Sequence, residues 1–160
     1  VGGRDVDLDA LEAALPEIYP RKRATRLKTE GAFHTYLMVQ AAREFRAELD
    51  AVEFNIANCA VLSNYTGVAH EETPDSIRTR LFFQLFAPVN WVGCVASAAS
   101  LGVDAFIEFG GGIGKGEGPA EKKPNLQSII NKNLRALEHE AVYYPAINSA
   151  SLKATAAELS

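Results

Sequence analysis

One histidine, His34 in the stretch LKTEGAFHTYLM (residues 27–38), stands where an alternating segment gives way to a helical one. Imidazole is the one side chain whose ordinary pKa lets it take and return a proton near neutrality. A general base adds on the order of 10²- to 10⁴-fold to a rate, so it can only be part of a larger machine. By position alone His34 reads either as a structural or surface histidine or as such a base. His70 and His139 lie in polar stretches and are expected to face solvent. No two histidines stand at metal-ligand spacing, and no zinc site is expected. A nucleophile for His34 to serve is harder to find. Ser63, Ser97 and Ser100 lack a Gly-x-Ser-x-Gly frame. The carboxylates are plentiful but form no framed pair. Cys59 and Cys94 make neither a CxxC motif nor a spaced framework, and neither reads as a nucleophile or metal ligand.

The glycines of GGGIGKGEG (110–118) invite a phosphate-binding reading, because exposed backbone amides can cradle an anion. Both fingerprints miss. In P-loop register Lys115 is followed by Gly116, and the first glycine position holds Phe109. With Gly110 and Gly112 as the first two members of a dinucleotide motif, the third falls on Lys115. The segment reads as a flexible surface loop, and a nucleotide-binding module ranks last among the possible functions.

The elements that position these residues follow from periodicity. In DVDLDALEAALPEIYP, Leu8, Leu11 and Leu15 recur at helical spacing behind early aspartates, with Pro16 and Pro20 expected to end the helix. RATRLKT alternates weakly and predicts a strand reaching about Thr29. Met38, Ala41, Phe45, Leu49 and Val52 step by three or four and predict an amphipathic helix over 36–52. CAVLSN reads as a short buried strand stopped by Asn64 and the turn that follows. TPDSIRTRLFFQLF opens with Thr73 as N-cap and Pro74 at the first helical position. WVGCVASAASLG predicts a closely packed small-residue helix closed by Gly102. VDAFIEFGGG reads as a strand running into glycines, residues from about Leu126 to Glu138 as a last helix, and the Ala/Ser-rich tail from Ala146 as frayed or draped on the surface. Trp91 is expected to pack between elements. Strands separated by helices argue for a layered α/β domain with a partly parallel sheet, in which functional groups gather beyond strand carboxyl ends.

The 160 residues are 48% apolar and 22% charged, which suits an ordinary domain with its own core. A net charge of −4 and a pI near 5.4 disfavour nucleic acid as the main partner. The basic run Arg21, Lys22, Arg23 reads as a solvated loop. Two cysteines without a framework predict a reduced, cytoplasmic protein. No apolar run approaches a membrane span, and VGGRDVDLD is too polar for a signal peptide.

GAFHTYLM followed by a helix, then VLSNYTG, FFQLFAPVNW and LGVDAFIEFGGG, resembles in order and spacing the second half of the malonyl-CoA:acyl carrier protein acyltransferase family. The resemblance runs from about Leu27 to Gly112 and more weakly to the end. It implies a serine that attacks malonyl-CoA, an acyl-enzyme, and release of the acyl group to the phosphopantetheine thiol of an acyl carrier protein, with a histidine deprotonating each attacking group. His34 matches that histidine. Gln84 matches the position whose main-chain carbonyl orients the histidine in the family. Phe33 matches a position that helps separate malonyl from bulkier units, and a core aromatic role stays equally open. Asn64 matches a family asparagine near the cleft, where turn formation can be its whole role. Gly110, Gly111 and Gly112 with an inserted charged loop replace the family's Gly-Pro-Gly.

The resemblance further implies that the serine elbow, the first oxyanion-hole segment and the malonyl-binding arginine precede Val1. Residues 1–30 are then the end of a ferredoxin-like small subdomain, 31–145 the C-terminal part of the acyltransferase core, and 146–160 a tail. The expected activity is transfer of a malonyl (acyl) group from CoA to acyl carrier protein, in fatty-acid, polyketide or polyunsaturated-lipid synthesis. No cofactor is expected beyond the CoA thioester and carrier-protein substrates, and the fragment alone should be inactive without its serine-bearing N-terminal half. An acyl hydrolase of the same family and a non-catalytic carrier-protein docking module are the alternatives.

Overall fold

A computed structural model describes residues 1–27, 29–114 and 118–160. The chain forms two compact units, Val1–Asn90 and Trp91–Ser160.

The first unit is helical. Helix α1 (Asp5–Ile18) carries Asp5 and Asp7 in its first turn, where carboxylates complement the helix dipole. Pro16 lies inside the helix, and the helix runs two residues beyond the expected stop. Arg26 reaches back to Asp5, Asp9 and Glu12 and ties the following segment to α1. That segment, expected as a strand, is irregular over its described residues; Lys28 of the RATRLKT stretch lies outside them.

A single 3-10 turn (Tyr36–Met38) leads into α2 (Val39–Ala51), which buries Ala42 and Leu49; of the expected stripe Leu49 is buried, while Phe45 and Val52 are exposed and Ala42 takes an inner place that the spacing did not name. Helix α3 (Pro74–Gln84) begins as the sequence foretells, with the Thr73 hydroxyl accepting from Ser76 N at 3.2 Å. It packs on α2. Arg78 of α3 donates to Leu49 O at 3.1 Å and Val52 O at 3.4 Å, satisfying carbonyls that the end of α2 leaves without intrahelical partners. CAVLSN is not a strand; Leu62 makes one antiparallel bridge to Ala69, closing a tight loop whose Tyr65 stacks on Phe83 of α3 at 5.4 Å.

The second unit is α/β. Helix α4 (Trp91–Ser100) ends at Gly102, whose φ of 77° lets Val103 N bond back to Ala98 O. Strand β1 (Ala105–Phe109) pairs in parallel with β2 (Val142–Ala146), Ala105 opposite Val142 and Phe109 opposite Ala146. Helix α5 (Gln127–Ala136) connects them and buries Ile130 and Leu134 against Val95 of α4, with Trp91, Phe106 and Tyr143 around this core. The residues from Ala146 are not a frayed tail. Ala146 and Ile147 are buried, and α6 (Ser149–Glu158) starts from an Asn148–Ser151 capping box. The Thr155 hydroxyl binds Pro145 O at 2.9 Å.

Glu108, 8% exposed, points from β1 to the start of α5 and accepts from Asn125 N (2.7 Å), Leu126 N (2.8 Å) and the Tyr143 hydroxyl. Burial raises its pKa, but these three donors outweigh burial and leave it below the usual carboxylate value. Burial first, and then the neighbouring carboxylate, push the Tyr143 phenol far up. The glycine segment after β1 is closed by paired bonds between Ile113 and Lys123, both 2.8 Å. Residues 115–117, including the Lys115 of both phosphate readings, lie outside the described ones. No helix of the described residues is long and apolar enough to cross a membrane.

Candidate active site

The site is built where the segment before α2 meets the end of α3. A helix leaves its last carbonyls without intrahelical donors, and at the end of α3 two successive ones, Gln84 O and Leu85 O, are taken by one residue. His34 N donates to Leu85 O at 3.0 Å, and His34 Nδ1 lies 2.7 Å from Gln84 O. A carbonyl can only accept, so Nδ1 carries the proton. The neutral ring then presents a bare lone pair at Nε2. Nε2 has no hydrogen-bond partner among the described residues, and the residue is half-buried.

Both bonds depend on an unusual backbone. His34 has φ of 61°, in the left-handed region that only glycine enters freely. Thr35 follows in extended conformation, its hydroxyl donating to Ala32 O at 2.7 Å and accepting from Leu37 N at 3.3 Å. The arrangement is an imidazole whose tautomer and direction are set by two main-chain carbonyls, with no carboxylate bonded to the ring among the described residues.

The structure brings His34 and Gln84 together across 50 positions of sequence. Phe33 is 49% exposed, with its ring folded back over Gly31. Asn64 makes no hydrogen bond to His34. Its main-chain oxygen accepts from Asn90 N at 2.6 Å, while its side-chain Oδ1 is buried without a partner. Leu85 O and Thr35 were not singled out by sequence reasoning. A left-handed turn at a histidine leaves no compositional trace, and the one available signal was a threonine beside the histidine, which can bond backbone on both sides.

The other histidines, expected to face solvent, are half-buried. His139 Nε2 lies 2.7 Å from Val103 O, and His70 Nδ1 is buried beside the Ser76 backbone. Burial first, with the nearby Arg80 charge, holds the His70 pKa down. Among the described residues no group of three or more His, Cys, Asp and Glu could hold a metal ion.

No family model matches the chain. The malonyl CoA-acyl carrier protein transacylase of Bacillus subtilis (strain 168) is 36% identical over 116 residues, 72% of this chain and 34% of that protein. An acyl carrier protein S-malonyltransferase from Vibrio cholerae superposes with a TM-score of 0.67 at 29% identity, over 92% of this chain and 44% of that one. The chain belongs to the malonyl CoA-acyl carrier protein transacylase family. It spans about a third of the length of the curated transacylases it matches. The transacylase fold is also shared with a malonyl-transacylase solved in complex with its type II polyketide acyl-carrier protein, at a TM-score of 0.79 and 23% identity, over 99% of this chain and 45% of that one. Membership of this family and the α/β architecture agree with the expectation drawn from the four ordered motifs.

Proposed function

We propose that the chain is the histidine-bearing portion of an acyltransferase that moves a malonyl (acyl) group from CoA to an acyl carrier protein. The observation that carries this reading is the 2.7 Å bond from His34 Nδ1 to Gln84 O in a chain of the transacylase family. It fixes the tautomer that leaves Nε2 free to act as a base. His34 Nε2 takes the proton from a serine hydroxyl as that oxygen attacks the thioester carbonyl. The carbon–sulfur bond breaks, and the departing CoA sulfur receives the proton from the imidazolium. In the second half the carrier protein's phosphopantetheine thiol gives its proton to Nε2 and attacks the acyl-serine, and the serine oxygen is reprotonated as it leaves.

The substrates' thioester and thiol, the serine and His34 supply all the reacting groups, so the reaction runs without a resident cofactor. The serine comes from polypeptide outside these 160 residues, which do not turn over alone. Residues 1–30 belong to the ferredoxin-like subdomain and 31–145 to the core that holds the base, with 146–160 packed behind β2 as α6. Phe33, exposed beside the base, lines the acyl pocket and favours malonyl over bulkier units, and Asn64 sits at the cleft. The enzyme works in the cytoplasm, in fatty-acid or polyketide synthesis. The test is acyl transfer by the full-length protein carrying His34→Ala. Loss of on the order of 10²-fold or more is expected for removal of a general base, and transfer at the unsubstituted rate would remove the reading.

A further inference from the structure

We infer that Thr35 is a positioning residue for the His34 base, its hydroxyl bracing both sides of the left-handed turn that carries the imidazole. The inference rests on the function proposed above.

A histidine at φ 61° is conformationally disfavoured and persists only where its surroundings over-determine it. Here the two donors of His34 meet two successive carbonyls, Gln84 O and Leu85 O, only while that φ is kept. The Thr35 side chain bonds to the chain on either side. Its hydroxyl donates to Ala32 O, two residues before His34, and accepts from Leu37 N, three residues after it. One hydroxyl proton and one lone pair are both used. Threonine suits the task because its β-branch leaves χ1 little freedom. The methyl group is held as well: a Cβ added at Gly2 would lie 2.8 Å from Thr35 Cγ2, so the backbone at Gly2 closes directly over it. Without the hydroxyl, Ala32 O and Leu37 N lose their partner. The turn is then free to relax toward right-handed φ, which swings Nδ1 away from Gln84 O and Nε2 off its line.

The experiment compares Thr35→Val, which keeps the shape and removes the hydroxyl, with Thr35→Ser, which keeps the hydroxyl, in the full-length enzyme. For Thr35→Val, kcat for malonyl transfer is expected to fall about tenfold with KM unchanged, as for loss of one orienting hydrogen bond. The hydrogen-bonded Nδ1 proton resonance of His34 is expected to weaken or vanish in the same variant. Thr35→Ser restores both. Thr35→Val with unchanged kcat and an intact Nδ1 proton signal overturns the inference, as does a fall in melting temperature alone or a Thr35→Ser variant as impaired as Thr35→Val. Should Thr35→Val not fold, Gly2→Ala carries the test through the same two measurements, and unchanged values there overturn it. If His34→Ala transfers normally, the functional reading fails, while the Nδ1 signal still reports separately whether Thr35 holds the turn.

Discussion

Replacing Glu108 by glutamine tests how the second unit is held together. The carboxylate receives three donors, Asn125 N–H on Oε1 and both Leu126 N–H and the Tyr143 hydroxyl on Oε2. Glutamine has the same shape but one acceptor oxygen. If its amide nitrogen takes the Oε1 place it faces Asn125 N–H; in the other orientation it faces the two remaining donors. The gentler choice still sets one donor against another where the carboxylate was 8% exposed. A hydrogen bond to a charged group is worth about 1.5–3 kcal/mol, so the loss at neutral pH should be about 2 kcal/mol. Urea unfolding followed by the fluorescence of Trp91, the one tryptophan, reads this directly because Trp91 packs against the α4–α5 core.

The pH dependence supplies a second check. The folded-state pKa of Glu108 lies below the ordinary glutamate value of 4.5, so its contribution is complete above that pH and is lost as pH falls through the folded value. The stability gap between the two proteins should therefore be constant from neutrality down to about 4.5 and close below it. A Glu108→Gln protein as stable as the parent at pH 7, or a gap unchanged into strong acid, would refute the reasoning.

Two further expectations concern local geometry and reactivity. Gly102→Ala, at φ 77° with open space around the new methyl group, should cost only the left-handed penalty of about 1–2 kcal/mol. Gly112→Ala, at φ 64° with Lys123 O at 2.8 Å and Ile147 Cδ1 at 2.9 Å from the new carbon, adds about 1–3 kcal/mol of overpacking to it; equal denaturation midpoints for the two variants would contradict this. A thiol reagent should modify exposed Cys59 well before buried Cys94, whose pKa burial pushes up, and equal labelling rates followed by mass spectrometry would count against that burial.

What the sequence made legible divides by the range of the interaction. Helices α2 to α5 are written in local code: Thr73-Pro74 opens one, Gly102 closes another, and Ile130 and Leu134 mark a buried stripe. β2 was hidden because VYYPA contains a proline, which argues against a strand unless the missing N–H falls on an unpaired side. α6 was hidden by its even Ala/Ser composition, although Asn148 and Ser151 already stood at capping-box spacing. RATRLKT, over its described residues, and CAVLSN have strand composition and no ladder beyond the one bridge of Leu62, since a strand is a pairing and composition does not specify a neighbour. At the site, the type and place of His34 could be read directly, and its partner at Gln84 only through the order of motifs. The left-handed turn between them could not be read, because it is set by contacts of the Thr35 side chain with Ala32 O and with the chain at Gly2 that leave no periodic mark.

An oxygen atom of the peptide chain holds the imidazole, and every amino acid brings that same atom to position 84. A systematic replacement of side chains would therefore pass over this contact in silence, with Gln84→Ala keeping the partner that its name suggests it removes. What the genetic code leaves open to change is the path of the chain, through residues that bend or brace it. The orientation of the ring is thus inherited as a property of shape and is shielded from most single-letter changes.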